Sequence, residues 1–252
     1  MSLNLSLLRA HPAEIDTDAV IAAVFDDQGL SPAARQLDEA SGGRISALLQ
    51  SGDVSGKAGR SALLLAPEGI RARRVLLVGV GEAAKVDSGR YIKAATESIR
   101  ALKGGPVPRI HSTLPEIDVA GRDTGWKLRQ AALAAFHAGY TYTATKKSAK
   151  PSPLTALSFS GDDDFGSELA RAAAIAEGIA LARELGNLPP NICNPAYLAE
   201  QARRIAEAHD TVSLDVLERE QMASLGMGSL LGVAQGSANP PKLIVLRYNG
   251  AG

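Results

Sequence analysis

The sequence predicts an α/β protein with an N-terminal domain over residues 1–165, a long helix over residues 166–188 and the start of a second domain over residues 189–252. Several short, dense apolar runs are bounded by turn residues, a pattern typical of strands covered on both faces in an α/β sheet. An Ala-rich run after residue 166 instead repeats its apolar side chains at helical spacing. This change of pattern marks the boundary between the two predicted domains.

Apolar runs and their flanking residues predict the elements of the N-terminal domain. Ala19–Asp27 is an apolar run that ends in acids, which predicts a buried strand. Pro32 follows Ser31 at an early helical position and predicts one helix to about Leu49. The further predicted elements are strands at 61–67 and 73–81, a helix over about 91–102 capped by Asp87 or Ser88, a helix over about 124–140 and a strand over about 154–160.

The long helix has defined ends in the sequence. Acids at 162–164 precede it and complement the helix macrodipole, whereas Gly186–Asn187 terminate it and Pro189–Pro190 prevent it from resuming. Its apolar stripe consists of Leu169, Ala172, Ala176, Ile179, Ala180 and Leu185. After it, the sequence predicts a helix from the N-cap Asn194 to about Ala208, a strand over 211–218, a short helix over 218–226 and a buried strand over 242–248.

Composition excludes several classes of protein. Hydrophobic residues make up 45% and charged residues 21%, so the chain is globular and not disordered. The single Cys193 excludes an internal disulfide and a multi-cysteine metal site within one chain. We expect a cytoplasmic protein that does not insert into a membrane, because the sequence shows neither a signal peptide nor an apolar run of about 20 residues.

Charge is unevenly distributed along the chain. Residues 1–150 hold 20 Lys and Arg against 15 Asp and Glu, a net of +5, and residues 151–252 hold 7 against 12, a net of −5. The densest basic cluster is Arg71, Arg73 and Arg74, which precedes a predicted strand. A solvated loop and a nucleic-acid patch are the alternatives for this cluster, and the first is favoured.

Two glycine motifs resemble nucleotide-binding loops incompletely. Gly79, Gly81 and Ala84 match the dinucleotide fingerprint, but the nearest helix cap is several residues late and the ribose-binding acid is missing. In the loop from Gly52 to Ala58, the glycines are one residue too close for a phosphate loop and the residue after Lys57 has no hydroxyl. A tight turn and a flexible loop are the favoured interpretations.

The candidate metal ligands and nucleophiles form no recognisable pattern. The run from Gly161 to Gly166 holds three acids without EF-hand spacing and is better explained as a helix N-terminus. The four histidines, His11, His111, His137 and His209, are scattered, and Cys193 has no histidine in its motif. From the residues alone, we assign no catalytic, metal-binding or cofactor-binding residue.

Two stretches of the sequence closely resemble the leucyl aminopeptidase family, the cytosol aminopeptidases. The first lies at the predicted domain crossing and consists of Arg183, Leu185, Asn187, Pro189, Asn191 and Pro195. The second consists of Gly226, Met227, Gly228, Gly236, Ser237, Pro240, Pro241 and Tyr248. The resemblance is strong from about residue 170 onward, and it covers the earlier part of the chain more weakly.

The resemblance implies a mixed-sheet, macro-domain-like N-terminal domain, the linking helix and the incomplete beginning of a catalytic peptidase domain. It further implies a homohexamer that releases N-terminal residues, with Leu preferred, from peptide substrates. Two divalent metal ions, Mn²⁺, Zn²⁺ or Mg²⁺, would activate the water and polarise the scissile carbonyl. Asn187, Asn191 and Gly236–Ser237 match family motifs, and we expect backbone and turn roles for them.

The chain departs from the family at the metal-binding residues. The family's metal-binding run, of the type Lys-Gly-Val-Thr-Phe-Asp, begins after the strand matched by Leu243–Tyr248 and has no counterpart within residues 1–252. We therefore carry over no catalytic or metal-binding residue, and we expect this chain to hold no metal and to be inactive alone. The alternative function is a DNA-binding or hexamer-scaffolding module formed by the N-terminal domain.

Overall fold

The computed structural model describes residues 3–148 and 152–250, and the chain divides into two compact units, Met1–Ala180 and Leu181–Gly252. No helix in the described part of the chain combines the length and the apolar character needed to cross a bilayer.

A mixed sheet of seven strands forms the centre of the first unit. Its strands are β1 (Asn4–Leu8), β2 (Ala19–Phe25), β3 (Gly29–Leu30), β4 (Ser61–Leu65), β5 (Arg74–Gly81), β6 (Arg109–Ser112) and β7 (Ala156–Ser160). The spatial order is β1-β7-β6-β2-β5-β4, and β3 pairs with the end of β2. Only β3 and β4 among the described strands of this sheet run antiparallel to their partners, so the carboxyl ends of the other five meet at one edge.

Helices cover both faces of this sheet. They are α1 (Pro32–Ala40), α2 (Arg44–Ser51), α3 (Ser88–Lys103), α4 (Thr124–Gly139) and α5 (Gly166–Asn187), the last of which continues into the second unit. Strand β2 is buried on both sides: Ile21 packs in the core with α3 and α4, and Val20 packs in the core with α1 and α2. Burial on both faces explains why this strand is a continuous apolar run and not an alternating one.

In its described residues, the second unit combines the end of α5 with two antiparallel strands and three further helices. The elements after α5 are α6 (Pro195–Ala208), β8 (Val212–Leu217), α7 (Arg219–Ser224), α8 (Gly228–Ala234) and β9 (Leu243–Tyr248). Asn194 caps α6 as predicted, and its side chain accepts from the Tyr197 amide at 3.0 Å. The buried apolar residues among the described residues of this unit are Ala199, Ala202, Met222 and Pro241. Large apolar side chains such as Val233 and Tyr248 are 87% and 73% exposed.

The predicted α/β fold is confirmed, and three of its details are wrong. The single helix predicted to Leu49 is two helices, because Gly42 and Gly43 take positive φ angles of 67° and 83° between α1 and α2. Strand β4 is not covered on both faces, since it lies at the edge of the sheet and exposes Leu65. Strand β9 is half-buried to exposed and not buried, because β8 is its one strand partner in the described residues.

Candidate functional site

The two glycine motifs noted in the sequence lie against each other at the carboxyl ends of β2 and β5. The amide of Gly81 donates to the carbonyl of Gly56 at 2.8 Å. A Cβ atom on Gly56 would lie 2.2 Å from the carbonyl carbon of Phe25, and one on Gly79 would lie 2.3 Å from the carbonyl oxygen of Lys57. Close backbone packing therefore requires glycine at both positions. A single 3₁₀ turn, Ala83–Lys85, follows the fingerprint, and α3 begins only at Ser88, so the fingerprint does not open an α-helix directly.

The side chains considered as ligands or nucleophiles lie in separate elements. The histidines are placed at the turn before Pro12–Glu14, in β6, in α4 and at the end of α6, and they are His11, His111, His137 and His209. Cys193 is half-buried in the turn before α6. In the run Gly161–Gly166, Asp162 pairs with Arg9 at 3.1 Å on the surface. Within residues 3–148 and 152–250, no three His, Cys, Asp or Glu side chains form a group that could hold a metal ion.

A buried histidine connects the two neighbouring strands β6 and β7. His111 is fully buried, its Nδ1 lies 2.9 Å from the Ser158 hydroxyl, and its Nε2 lies 3.1 Å from the Ser160 hydroxyl. The Ser158 hydroxyl also donates to the carbonyl of Ile110 at 3.4 Å. The Ser160 hydroxyl also interacts with the Glu116 carboxylate. Burial lowers the pKa of His111 to about 4, so the ring is neutral at pH 7.

Glu116 extends this network to the first turn of α4. Burial raises the pKa of Glu116, and the hydrogen bond from Ser160 and the charge of Lys127 oppose the shift in part. The ammonium of Lys127 donates to the carbonyl of Ile117 at 2.9 Å, and burial lowers its pKa. The hydroxyl of Tyr91 donates to the Lys127 carbonyl at 2.9 Å, and burial raises the pKa of Tyr91. His111, Tyr91 and Lys127 are buried, whereas Glu116 lies at the surface. We therefore assign the buried part of the network to the stability of the first unit.

An open cavity of about 520 Å³ lies beside this network in the first unit. It is bounded by the segment that leads from β6 into α4 and by the start of α5, which follows β7. Its walls are formed by Gly121, Arg122, Asp123, Thr124, Gly125, Trp126, Arg129, Phe165, Ser167 and Glu168. Gly125 permits the close approach of the two helices, since a Cβ atom there would lie 3.2 Å from Cγ of Glu168.

Arginine side chains line this cavity in two different environments. Arg129 pairs with Glu168, which also lies 3.6 Å from Arg171. The guanidinium of Arg122 lies over the ring of Trp126, with Cζ 4.8 Å from the ring centroid, and its Nε donates to the Ser88 hydroxyl at 2.9 Å. In the described residues, no carboxylate lies within ion-pair distance of Arg122.

Sequence reasoning missed both the histidine network and the cavity. A signal for the network exists in the alternation of "RIHS" and "LSFS", which places His111 and Ser158 on one face of adjacent strands once their pairing is known. The cavity has no local signal, because its walls come from segments about 40 residues apart that meet only in the folded chain.

Family models match both parts of the chain. The N-terminal domain of the cytosol aminopeptidase family matches residues 21–149, and the catalytic domain of the same family matches residues 180–252. The probable cytosol aminopeptidase of Xylella fastidiosa (strain M23) is 49% identical over 256 residues, which cover 100% of this chain and 52% of that protein. The probable cytosol aminopeptidase of Stenotrophomonas maltophilia (strain K279a) is 47% identical over 254 residues, which cover 100% and 51%. The chain thus spans about half the length of these curated relatives.

Solved structures agree with this assignment. A mutant of tomato leucine aminopeptidase superposes with a TM-score of 0.84 at 25% identity, over 98% of this chain and 51% of its own. The bottromycin maturation enzyme BotP in complex with Mn shares the fold with a TM-score of 0.74 at 24% identity, over 93% of this chain and 46% of its own. The chain therefore belongs to the cytosol aminopeptidase family and carries that family's N-terminal domain followed by the start of its catalytic domain.

Proposed function

We propose that this chain is the N-terminal part of a leucyl aminopeptidase, a two-metal exopeptidase that releases N-terminal residues, with Leu preferred, from peptides. The observation that carries the proposal is the order of the two family matches, N-terminal domain at 21–149 and catalytic domain at 180–252, in a chain about half as long as its relatives. In this proposal the domains are residues 1–165 and 189–252, joined by the helix over 166–188.

The residues present do not fit a pair of divalent metals. In the described part of the chain, no three potential ligands come together, and Asp162 of the Gly161–Gly166 run forms a surface ion pair with Arg9. The proposal therefore places the ligands for Mn²⁺, Zn²⁺ or Mg²⁺ in sequence that the relatives have beyond the matched half. We derive no catalytic step from the residues of this chain.

The exposed apolar side chains of the second unit support the same proposal. Leu225 and Val233 are 62% and 87% exposed, and β9 leaves Leu246 43% exposed. A complete α/β domain buries side chains of this kind against further strands and helices. We infer that additional chain from the rest of the protein covers these faces.

A peptidase assay with two proteins tests the proposal. The 252-residue chain, incubated with Mn²⁺ and leucine p-nitroanilide, is expected to release no p-nitroaniline above the buffer rate. A protein extended to the full length of the relatives is expected to release it, and a chelator is expected to abolish the activity. Circular dichroism of the shorter chain serves as the folding control. Turnover by the 252-residue chain, or inactivity of the extended, metal-loaded protein, would contradict the proposal.

Assembly, DNA binding and location stay predictions. We propose a cytoplasmic homohexamer for the extended protein, which sedimentation velocity would test, and a monomeric extended protein would refute it. The alternative role of the N-terminal domain in DNA binding rests on its net charge of +5 over residues 1–150. In the structure, Arg74 begins β5, whereas Arg71 and Arg73 are exposed beside it. A gel shift at low salt tests this role, because phosphate contacts are strongest there.

A further inference from the structure

The cavity between α4 and α5 lies where α/β proteins commonly bind ligands. β6 and β7 are neighbouring parallel strands, and the segments that follow their carboxyl ends form the cavity walls. In open α/β sheets, ligands bind in the crevices outside the carboxyl ends of the strands. A volume of about 520 Å³ is within the range of small-molecule sites. The inference drawn from it is independent of the peptidase activity proposed above.

The charged side chains that line the cavity leave one arginine without a carboxylate partner. These side chains are Arg122, Arg129, Asp123 and Glu168, two of each sign. Glu168 pairs with Arg129 and Arg171. Asp123 accepts from the Trp126 amide at 2.7 Å and thereby caps α4. Within the described residues, Arg122 is therefore the cavity arginine that pairs with no carboxylate, and its guanidinium is available to an anion.

Arg122 is arranged to receive an anion. Its Nε is fixed by the Ser88 hydroxyl and its plane is fixed by the ring of Trp126. Among the described residues, the hydrogen bond found for its guanidinium is the one from Nε, so its two terminal nitrogens are available to a ligand. A guanidinium with a fixed plane presents parallel N–H groups that match the two oxygens of a carboxylate or phosphate.

The same cavity offers a surface for an aromatic group. Trp126 is half-buried and packs against Tyr91 with ring centroids 5.9 Å apart, and Phe165 lines the opposite connection. Rings in this position stack with a further planar group at centroid distances of roughly 4.5–7 Å. We propose that the cavity binds a small organic anion with a planar ring, whose carboxylate or phosphate pairs with Arg122 and whose ring packs against Trp126.

Isothermal titration calorimetry on the 252-residue chain tests this proposal. Phenyl phosphate and benzoate are the ring-bearing anions, and comparing the two separates a phosphate ester from a carboxylate ligand. Inorganic phosphate supplies the anion without a ring, and benzyl alcohol supplies a ring without a charge. At least one ring-bearing anion is expected to bind, and these two control compounds are each expected to bind at least about tenfold more weakly.

Substitution of Arg122 tests whether this residue contacts the anionic group of the ligand. Arg122→Gln is expected to weaken binding by about tenfold or more, because a charge-assisted hydrogen bond is lost. Arg100→Gln is the matched control, since Arg100 is a comparable exposed arginine on α3 that pairs with Glu97 outside the cavity. Both changes are at the surface, and circular dichroism confirms that each variant is folded.

Three results would overturn the proposal. The first is no heat of binding for either ring-bearing anion up to about 10 mM, where even the weakest specific site would be occupied. The second is equal affinity for inorganic phosphate and phenyl phosphate, which would remove the ring from the recognition. The third is an Arg122→Gln variant that binds as tightly as the Arg100→Gln control.

Discussion

Replacing His111 by Gln should remove a defined part of the pH dependence of folding. In the folded state the buried ring has a pKa of about 4, compared with an ordinary value of 6.5. The unfolded chain therefore binds a proton between these values that the folded chain does not bind, so stability falls as the pH falls from 6.5 to 4. His111→Gln keeps a polar side chain between Ser158 and Ser160 but cannot take up this proton.

The magnitude follows from the two pKa values. The difference between the two pKa values lowers the free energy of unfolding by about 3 kcal/mol at a pH below both of them. About 2 kcal/mol of this loss occurs between pH 7 and pH 5. Urea unfolding at several pH values measures it, with the fluorescence of Trp126 as the signal. Trp126 is the single tryptophan of the chain and lies in the first unit, so it reports the unfolding of the unit that contains His111.

The decisive quantity is the difference between wild type and variant at each pH. His111→Gln is expected to be less stable than wild type at pH 7, because its hydrogen bonds to the two serines are poorer. The difference in the free energy of unfolding between wild type and His111→Gln should be about 2 kcal/mol smaller at pH 5 than at pH 7. His11→Gln makes the same change at an exposed site of the same unit and serves as the control. If the difference in the free energy of unfolding between wild type and His111→Gln stays constant from pH 7 to pH 5, the reasoning is refuted.

Three further substitutions test other contacts of the first unit by the same unfolding measurement. Gly79→Ala should destabilise the protein by roughly 1–3 kcal/mol, because the added Cβ would lie 2.3 Å from the carbonyl oxygen of Lys57. Gly104→Ala is the control and should be nearly neutral, because a Cβ atom there has no atom within 4 Å. Equal effects of the two substitutions would contradict this account. Tyr91→Phe removes the hydrogen bond to the carbonyl of Lys127 and should cost about 1 kcal/mol; a neutral change would show that the bond adds nothing. Glu116→Gln should stabilise, and increasingly so as the pH rises above 4.5, because desolvation raises the pKa of Glu116 and the folded state loses stability as that carboxyl ionises. Because Glu116 is partly open to solvent, the effect should be small. A stabilisation that does not grow with pH would contradict the raised pKa.

Elements with strong local signals could be predicted from the sequence. The continuous apolar run of β2, the cap of α3 at Asp87 and the cap of α6 at Asn194 all depend on neighbouring residues, and the structure has each of them. The break at Gly42–Gly43 also had a local signal, but the helical pattern on both sides obscured it. Adjacent glycines at positive φ end a helix even where the apolar spacing continues.

Features that depend on distant segments could not be predicted in this way. The need for glycine at position 79 arises from the carbonyl of Lys57, which approaches only when the loop before β4 folds across β5. Burial of His111 likewise depends on β7, which lies more than 40 residues later in the chain. Side-chain periodicity assigns an element and its faces, but it does not give the order of strands in a sheet.

The strand order has a consequence for synthesis. Of the described strands, β1 is synthesised first, yet its strand partner in the described sheet is β7, with Asn4 opposite Ala156. The nascent chain must therefore carry β1 without this partner until about 150 further residues have been added. Because strands far apart in sequence pair late, the pairing of β1 with β7 should be the last step in forming the sheet. A chaperone bound near the N-terminus would delay this step.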